Sequence, residues 1–252
     1  MTVEFPQTGR FEFGRVVSRT FGAFGANLGV FLMLGVLLSV LPDVGLAWLR
    51  HTLGWTTASE QNLTNLPSNL LGIVLNGALI SGSLAHFTGK RVGFAECLSQ
   101  GFRNFAGLFG VGLLTGLGIL GGLLLFIVPG LIWLTAWSVS GPAWVAEGRG
   151  VTQAIGRSLR LTRGHRWPIF GLILIVMVSF VLLALVGGGL SYVIHALAPQ
   201  TWGPDMLVDV ILSPILTMIL MIVFAVGATA IYVELPGTKT GAVADSVAAT
   251  FD

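Results

Sequence analysis

The chain has 252 residues, of which 54% are hydrophobic and only 10% charged, with a net charge of +2 and a mean hydropathy of +0.88. A soluble domain carries about 25% charged residues, so this composition excludes an ordinary water-soluble globule and implies a membrane protein. The charge balance is small and no basic patch alternates with stacking aromatics, which argues against nucleic acid as a partner.

Taken in order, residues 1–7 are polar. The stretch from Phe11 to about residue 26 reads as an amphipathic interfacial helix: Phe13, Val16, Val17, Thr20, Phe21 and Phe24 recur at helical spacing, with Glu12, Arg15 and Arg19 mostly opposite. About 25 residues, two of them Glu4 and Glu12, precede the first long apolar block, unlike a cleavable signal peptide. That block, about 28–49, is expected to act as a first span, since about 20 apolar residues cross a bilayer core. Pro42-Asp43 interrupts it near its end; either the span stops there or a short helix continues along the outer surface. A polar loop over 50–66 precedes a second span at about 67–87, in which Asn69, Asn76, Ser81 and Ser83 are placed to hydrogen-bond to other helices.

A second amphipathic segment at 93–105 leads into 43 uncharged residues, Asn104 to Ala146, enough for two spans at about 106–128 and 131–146. Pro129-Gly130 is the expected turn between them, and Pro142 is expected to kink or shorten the second. The stretch 149–167, RGVTQAIGRSLRLTRGHRW, holds five of the thirteen Lys and Arg and reads as a third amphipathic helix, about 150–166. A fifth span at about 168–190 begins with Pro168, suited to a first helical turn. A sixth, at about 206–233, ends near Glu234, and the tail 235–252 is polar. The expected fold is all-α: one integral membrane domain with six transmembrane helices and amphipathic cytoplasmic interfacial helices. With six spans and a cytoplasmic N-terminus, only Arg50 among the thirteen Lys and Arg lies outside, and both termini are cytoplasmic. The pattern of one interfacial helix and two spans occurs three times, a weak sign of an internal repeat.

Four features invite a chemical reading. Gly116–Gly121 matches GxGxxG, but no strand precedes it and no acid follows at the required distance. Gly112/Gly116 and Gly118/Gly122 instead read as small-residue ridges for helix packing. Asp205 and Asp209, with Asp43 and Glu60, could gather a cation at the outer side, though acids at a helix N-terminus are the more ordinary reading. The four histidines are scattered and Cys97 stands alone, so no metal site, no cofactor and no catalytic constellation is expected. Arg157, Arg160 and Arg163 step by three along one side of the third amphipathic helix, with Arg166 and Trp167 following. Guanidinium grips phosphate bidentately and Trp favours the membrane interface, so these five residues are the candidates for contacting a lipid phosphate. Generic attraction to anionic lipid and control of topology would place them equally well.

Four stretches carry a family resemblance: FEFGRVVSRTFGAFGANLGVF, IVPGLIWLTAWSVSGPAWVAEGRGVTQAIGRSLRLTRGHRWPIFG, AVGATAIYVEL and ADSVAATFD. With Pro129-Gly130, Pro142, Glu147-Gly148, Ala154, Ser158 and Trp167 in the second, the chain resembles the membrane domain of the glycerophosphoryl diester phosphodiesterase family. The resemblance implies a multi-pass protein of the bacterial inner membrane. It carries over no catalytic residue, because the phosphodiesterase domain itself has no counterpart here. The expected function is non-catalytic: a scaffold, accessory or membrane-anchoring protein that binds lipid or a partner through its cytoplasmic side. A transporter-like protein handling lipids or small solutes is the alternative, and an enzyme acting on lipid headgroups a third. The partners expected are membrane lipids and either another protein or a second copy of the chain.

Overall fold

The computed structural model describes residues 12–54, 58–90, 93–148, 150–197 and 211–251. Among them the chain is helical, with no strand. Five helical segments are long and apolar enough to cross a membrane: Leu28–Arg50, Asn65–Phe87, Phe94–Leu125, Arg166–Gly189 and Ser213–Leu235.

Helix α1 (Phe13–Ala26) is followed at Asn27 by α2 (Leu28–Gly35), a π-helical turn (Val36–Val40) and α3 (Leu41–Leu53). Helix therefore continues through Pro42-Asp43 instead of stopping there. The widened turn just ahead of Pro42 accommodates the missing N–H and the ring, which would crowd the carbonyl four residues back in a regular helix. Helix α4 (Ala58–Phe87) takes in most of the expected polar loop and runs through Pro67. Helix α5 (Phe94–Leu125) is continuous. The second amphipathic segment and the third span are thus one rod of 32 residues, about 48 Å long, whereas α1 is set off from its span by Asn27.

The turn after α5 falls at Phe126, whose backbone is extended, and not at Pro129-Gly130, which occupy the first turn of α6 (Ile127–Ala136). A proline there needs no intrahelical donor. The fourth apolar stretch is broken: α6 stops at Ala136, and α7 (Ser140–Glu147) restarts with Pro142 in its first turn. Gly148 adopts a left-handed conformation, with φ 59°, and ends α7. Helix α8 (Val151–Thr162), the turn around Gly164 and α9 (Arg166–Leu197) follow. Helix α10 (Ser213–Phe251) carries the last span and continues through the expected tail. The expected start of that span, with Asp205 and Asp209, lies outside the described residues, as does the side chain of Glu60.

The main core joins Phe31, Leu34 and Leu38 of the first span to Leu75, Leu79 and Ile80 of α4, Cys97 and Leu108 of α5, and Ile222 and Val226 of α10. Cys97 is 1% exposed and behaves as a small apolar side chain. A second cluster, Val16, Val139, Leu161, Ile169, Ile231 and Leu235, binds α1, the α6–α7 break, α8 and α9 around α10. Helix α10 is the common wall of both. Ser81 and Ser83 donate to the carbonyls of Gly77 and Leu79 at 2.8 and 2.7 Å, within their own helix and not across to another. The carbonyl four residues back is simply the nearest acceptor.

Candidate functional site

The charged end of the bundle is organised by two acids that the apolar helices bring inward. Glu234, one residue from the end of the last candidate span, is 3% exposed. Arg15 donates to its Oε1 at 2.9 Å and Arg19 to its Oε2 at 2.6 Å. A carboxylate this deep in an apolar helix is tolerable only when paired and hydrogen-bonded, and α1 supplies both partners from successive turns. Arg15 also meets Glu12 at 2.9 Å. That hydrogen bond, and then the charge of Glu234, push the Arg15 pKa above its ordinary value against the opposing effect of burial. The arginine side of α1 is thus turned inward, while Phe13 and Phe21 are exposed.

Two residues before Glu234, on another side of α10, the Tyr232 hydroxyl donates to Glu147 at 3.0 Å. Arg157 Nε donates to the same Glu147 oxygen at 2.8 Å. The end of α10 therefore clasps α1 through one acid and, through Tyr232, the α7–α8 corner through another.

Helix α8 is docked by its small and polar face. Ala154, Ser158, Leu161 and Thr162 are buried. Ser158 Oγ donates to the carbonyl of Ala136 at 2.8 Å, and Thr162 Oγ1 lies 3.3 Å from that same carbonyl. Ala136 is the last residue of α6, where the helix ladder leaves carbonyls without partners; α8 satisfies one of them. Of the five lipid-contact candidates, Arg157 is thus turned to Glu147, and Arg166 is half-buried at the start of α9, its Nε without a hydrogen bond among the described residues. Arg160 and Arg163 are exposed, and Trp167 is 84% exposed beside them in sequence.

The break between α6 and α7 also borders an open cavity of about 480 Å³ lined by α4, α5, α6, α7, α9 and α10. Its polar lining is Asn76, Thr115, Trp137, Ser138 and Ser140, and no lining residue is charged. Thr115, Ser138 and Ser140 donate their hydroxyl protons to carbonyls of Val111, Thr135 and Trp137 at 2.7, 2.9 and 2.7 Å.

The two glycine ridges differ. A side-chain carbon at Gly118 would run into the Trp137 ring, and one at Gly122 would lie 2.9 Å from Trp133 and 3.0 Å from the Gly130 Cα. Trp133 and Trp137 stack on each other, centroids 5.3 Å apart, against this strip. At Gly112 and Gly116 nothing lies within 4 Å. A close approach between α4 and α5 lies elsewhere, at Gly101, where a side-chain carbon would lie 2.5 Å from the Val74 carbonyl.

Sequence reasoning assigned no functional role to Glu234, Glu147 or Tyr232. A signal existed: each acid ends a long uncharged run, the position where an acidic group must find a partner or leave the bilayer. Among the described residues, no group of three His, Cys, Asp or Glu gathers as metal ligands would.

No curated protein and no solved structure matches the chain. Residues 13–235 match a family model whose description names neither an activity nor a glycerophosphoryl diester phosphodiesterase. The matched region begins at the first residue of α1 and ends one residue past Glu234, so it encloses the whole clasp. The chain belongs to that family, a domain of unknown function designated DUF7847.

Proposed function

We propose that the protein is a non-catalytic, six-pass component of the bacterial inner membrane that binds anionic lipid headgroups on its cytoplasmic side, in a scaffold or accessory role. The observation that carries this reading is the division of labour on α8. Arg157 holds Glu147, while Arg160, Arg163 and the following Trp167 are exposed. Arginines beside an interfacial tryptophan are what a phosphate layer attracts.

The sixth crossing is α6 and α7 taken together. Residues 127–147 would span about 31 Å at 1.5 Å per residue, the thickness of a bilayer core. Arg15, Arg19 and the arginines of α8 then share the cytoplasmic end, with Arg50 opposite. Helices α1 and α8 lie at that interface. The resemblance to the membrane domain of the phosphodiesterase family supports the bacterial inner membrane as the location.

Native mass spectrometry of the protein extracted from its own membrane tests this. A retained anionic phospholipid, lost when Arg160 and Arg163 are both replaced by Ala and weakened when both become Lys, is the expected result. Retention unchanged in the alanine variant would refute headgroup binding at α8. A co-purified subunit in place of lipid would favour protein docking on the same face.

The cavity at the α6–α7 break favours a second reading, in which the protein handles lipids or small solutes. Broken helices are tolerated at membrane depth where they line a cavity, and such breaks border substrate sites in transporters.

A further inference from the structure

Asn76 is the middle residue of the segment Asn65–Phe87, eleven residues from either end. At 1.5 Å per residue that is about 16 Å from each interface, which is the centre of a bilayer core about 30 Å thick. Its side chain lines the cavity at the α6–α7 break and, unlike Ser81 and Ser83 on the same helix, makes no hydrogen bond among the described residues. An amide left without a partner in hydrocarbon is costly, and no water from bulk solvent reaches that depth cheaply.

We propose that this cavity binds a neutral lipid that presents a hydroxyl or carbonyl oxygen to the Asn76 amide near the bilayer midplane. Four observations select that ligand. About 480 Å³ lies within the range of small-molecule sites. The lining carries no charge, so a phosphate brought here would be desolvated without compensation, whereas a hydroxyl or carbonyl can be satisfied by one or two donors. The hydroxyls of Thr115, Ser138 and Ser140 already donate to their own backbone, which leaves the Asn76 amide as the free donor on the wall. Finally, Phe109 and Leu113 on the rim are exposed residues of a membrane-length helix. The mouth therefore faces hydrocarbon, and the ligand enters from the lipid phase and not from water.

This site is separate from the arginines of α8 and takes the opposite class of lipid. Two substitutions test it by different routes. Asn76→Leu removes the polar contact. Gly112→Leu fills the space, because a side-chain carbon at Gly112 lines the cavity and meets nothing within 4 Å; leucine is also the better helix former. The protein is placed in nanodiscs with one of three photoreactive probes bearing a chain diazirine: a long-chain alcohol, a prenylated benzoquinone or a phosphatidylglycerol.

The expected result is labelling around Asn76 and Thr115 by the alcohol, the quinone or both. It should fall about five-fold in Asn76→Leu, the worth of one neutral hydrogen bond, and at least as far in Gly112→Leu. Which probe labels separates a hydroxyl from a carbonyl ligand. Replacing Arg160 and Arg163 by Ala should leave this labelling unchanged, so failure of the headgroup reading is distinguishable from failure here. Equal labelling by all three probes, insensitive to Asn76→Leu, would overturn the proposal, as would labelling that only Gly112→Leu reduces or no labelling at all.

Discussion

The two-arginine grip on Glu234 yields the sharpest energetic test. Glu234 is 3% exposed, and the arginines are 19% and 24% exposed. The partners are therefore unequal: the arginines can swing toward water or lipid phosphate when released, whereas the carboxylate cannot. Replacing Glu234 by Gln keeps the shape and removes the charge. It weakens two charge-assisted hydrogen bonds worth about 1.5–3 kcal/mol each, and because both arginines relax outward the net loss should be about 2–3 kcal/mol. Replacing Arg15 and Arg19 by Met leaves the carboxylate buried and unpaired, at about 3–5 kcal/mol. For a chain of this size each kcal/mol shifts Tm by roughly 2–4 °C, so the double variant should melt roughly 6–20 °C lower. Adding Glu234→Leu removes the stranded charge, and an apolar replacement of a buried ionic group is often neutral or stabilising. The triple variant should therefore recover at least half of the loss. Thermal unfolding in nanodiscs, followed by tryptophan fluorescence, reads all three. If the triple variant melts no higher than the arginine double variant, the cost did not come from a stranded carboxylate and the reasoning fails.

Two more predictions concern the broken helix. Gly118→Ala or Gly122→Ala drives a methyl into the Trp133–Trp137 stack and should cost about 1–3 kcal/mol. Gly112→Ala or Gly116→Ala, facing open space, should be neutral or slightly stabilising by helix propensity; equal melting shifts at all four positions would contradict this assignment. Combining Ser158→Ala with Thr162→Val strips the Ala136 carbonyl of both hydroxyls, at about 1–3 kcal/mol. Faster hydrogen exchange in α8 and across Trp137–Ser140 is expected, and unchanged protection would show that the hydroxyls do not hold α8 in place.

The all-helical, membrane-embedded character was legible because it rests on sums. Long uncharged runs and clustered arginines survive any error at a single residue. The helix joints were less legible because each depends on a local competition. Pro42 reads as a breaker until a π-helical turn absorbs it, and Pro129-Gly130 reads as a turn although proline suits a helix start equally well. The fourth apolar stretch counts as one span by length, yet its chain parts at Trp137–Val139 and is held there by hydroxyls from a helix more than twenty residues away. Nothing in the spacing of Ser158 and Thr162 announces that partner. The arginine stripe was visible, but the pairing that sets Arg157 apart from the exposed Arg160 and Arg163 depends on where Glu147 comes to rest. Asn76 was legible as a polar residue in a span; that it faces a void and not a neighbouring helix required the packing of five other helices.

The grip of α1 on Glu234 closes a sequence separation of 215 residues between Arg19 and its acid. At about 5–20 residues per second of synthesis, roughly 10–40 s separate the appearance of the two. Through that interval α1 is made but its acid is not, and the wall that α10 later provides to both hydrophobic clusters is missing. The growing chain must therefore wait in the bilayer as an open set of helices with a vacant slot. Arg15 and Arg19 meanwhile lack the carboxylate that later takes both. Arrival of the last span supplies Glu234 and shuts the slot in one event. Membrane assembly of this fold is thus completed at its C-terminal end, and a ribosome stalled before residue 234 would leave every earlier helix made and α1 without its acid.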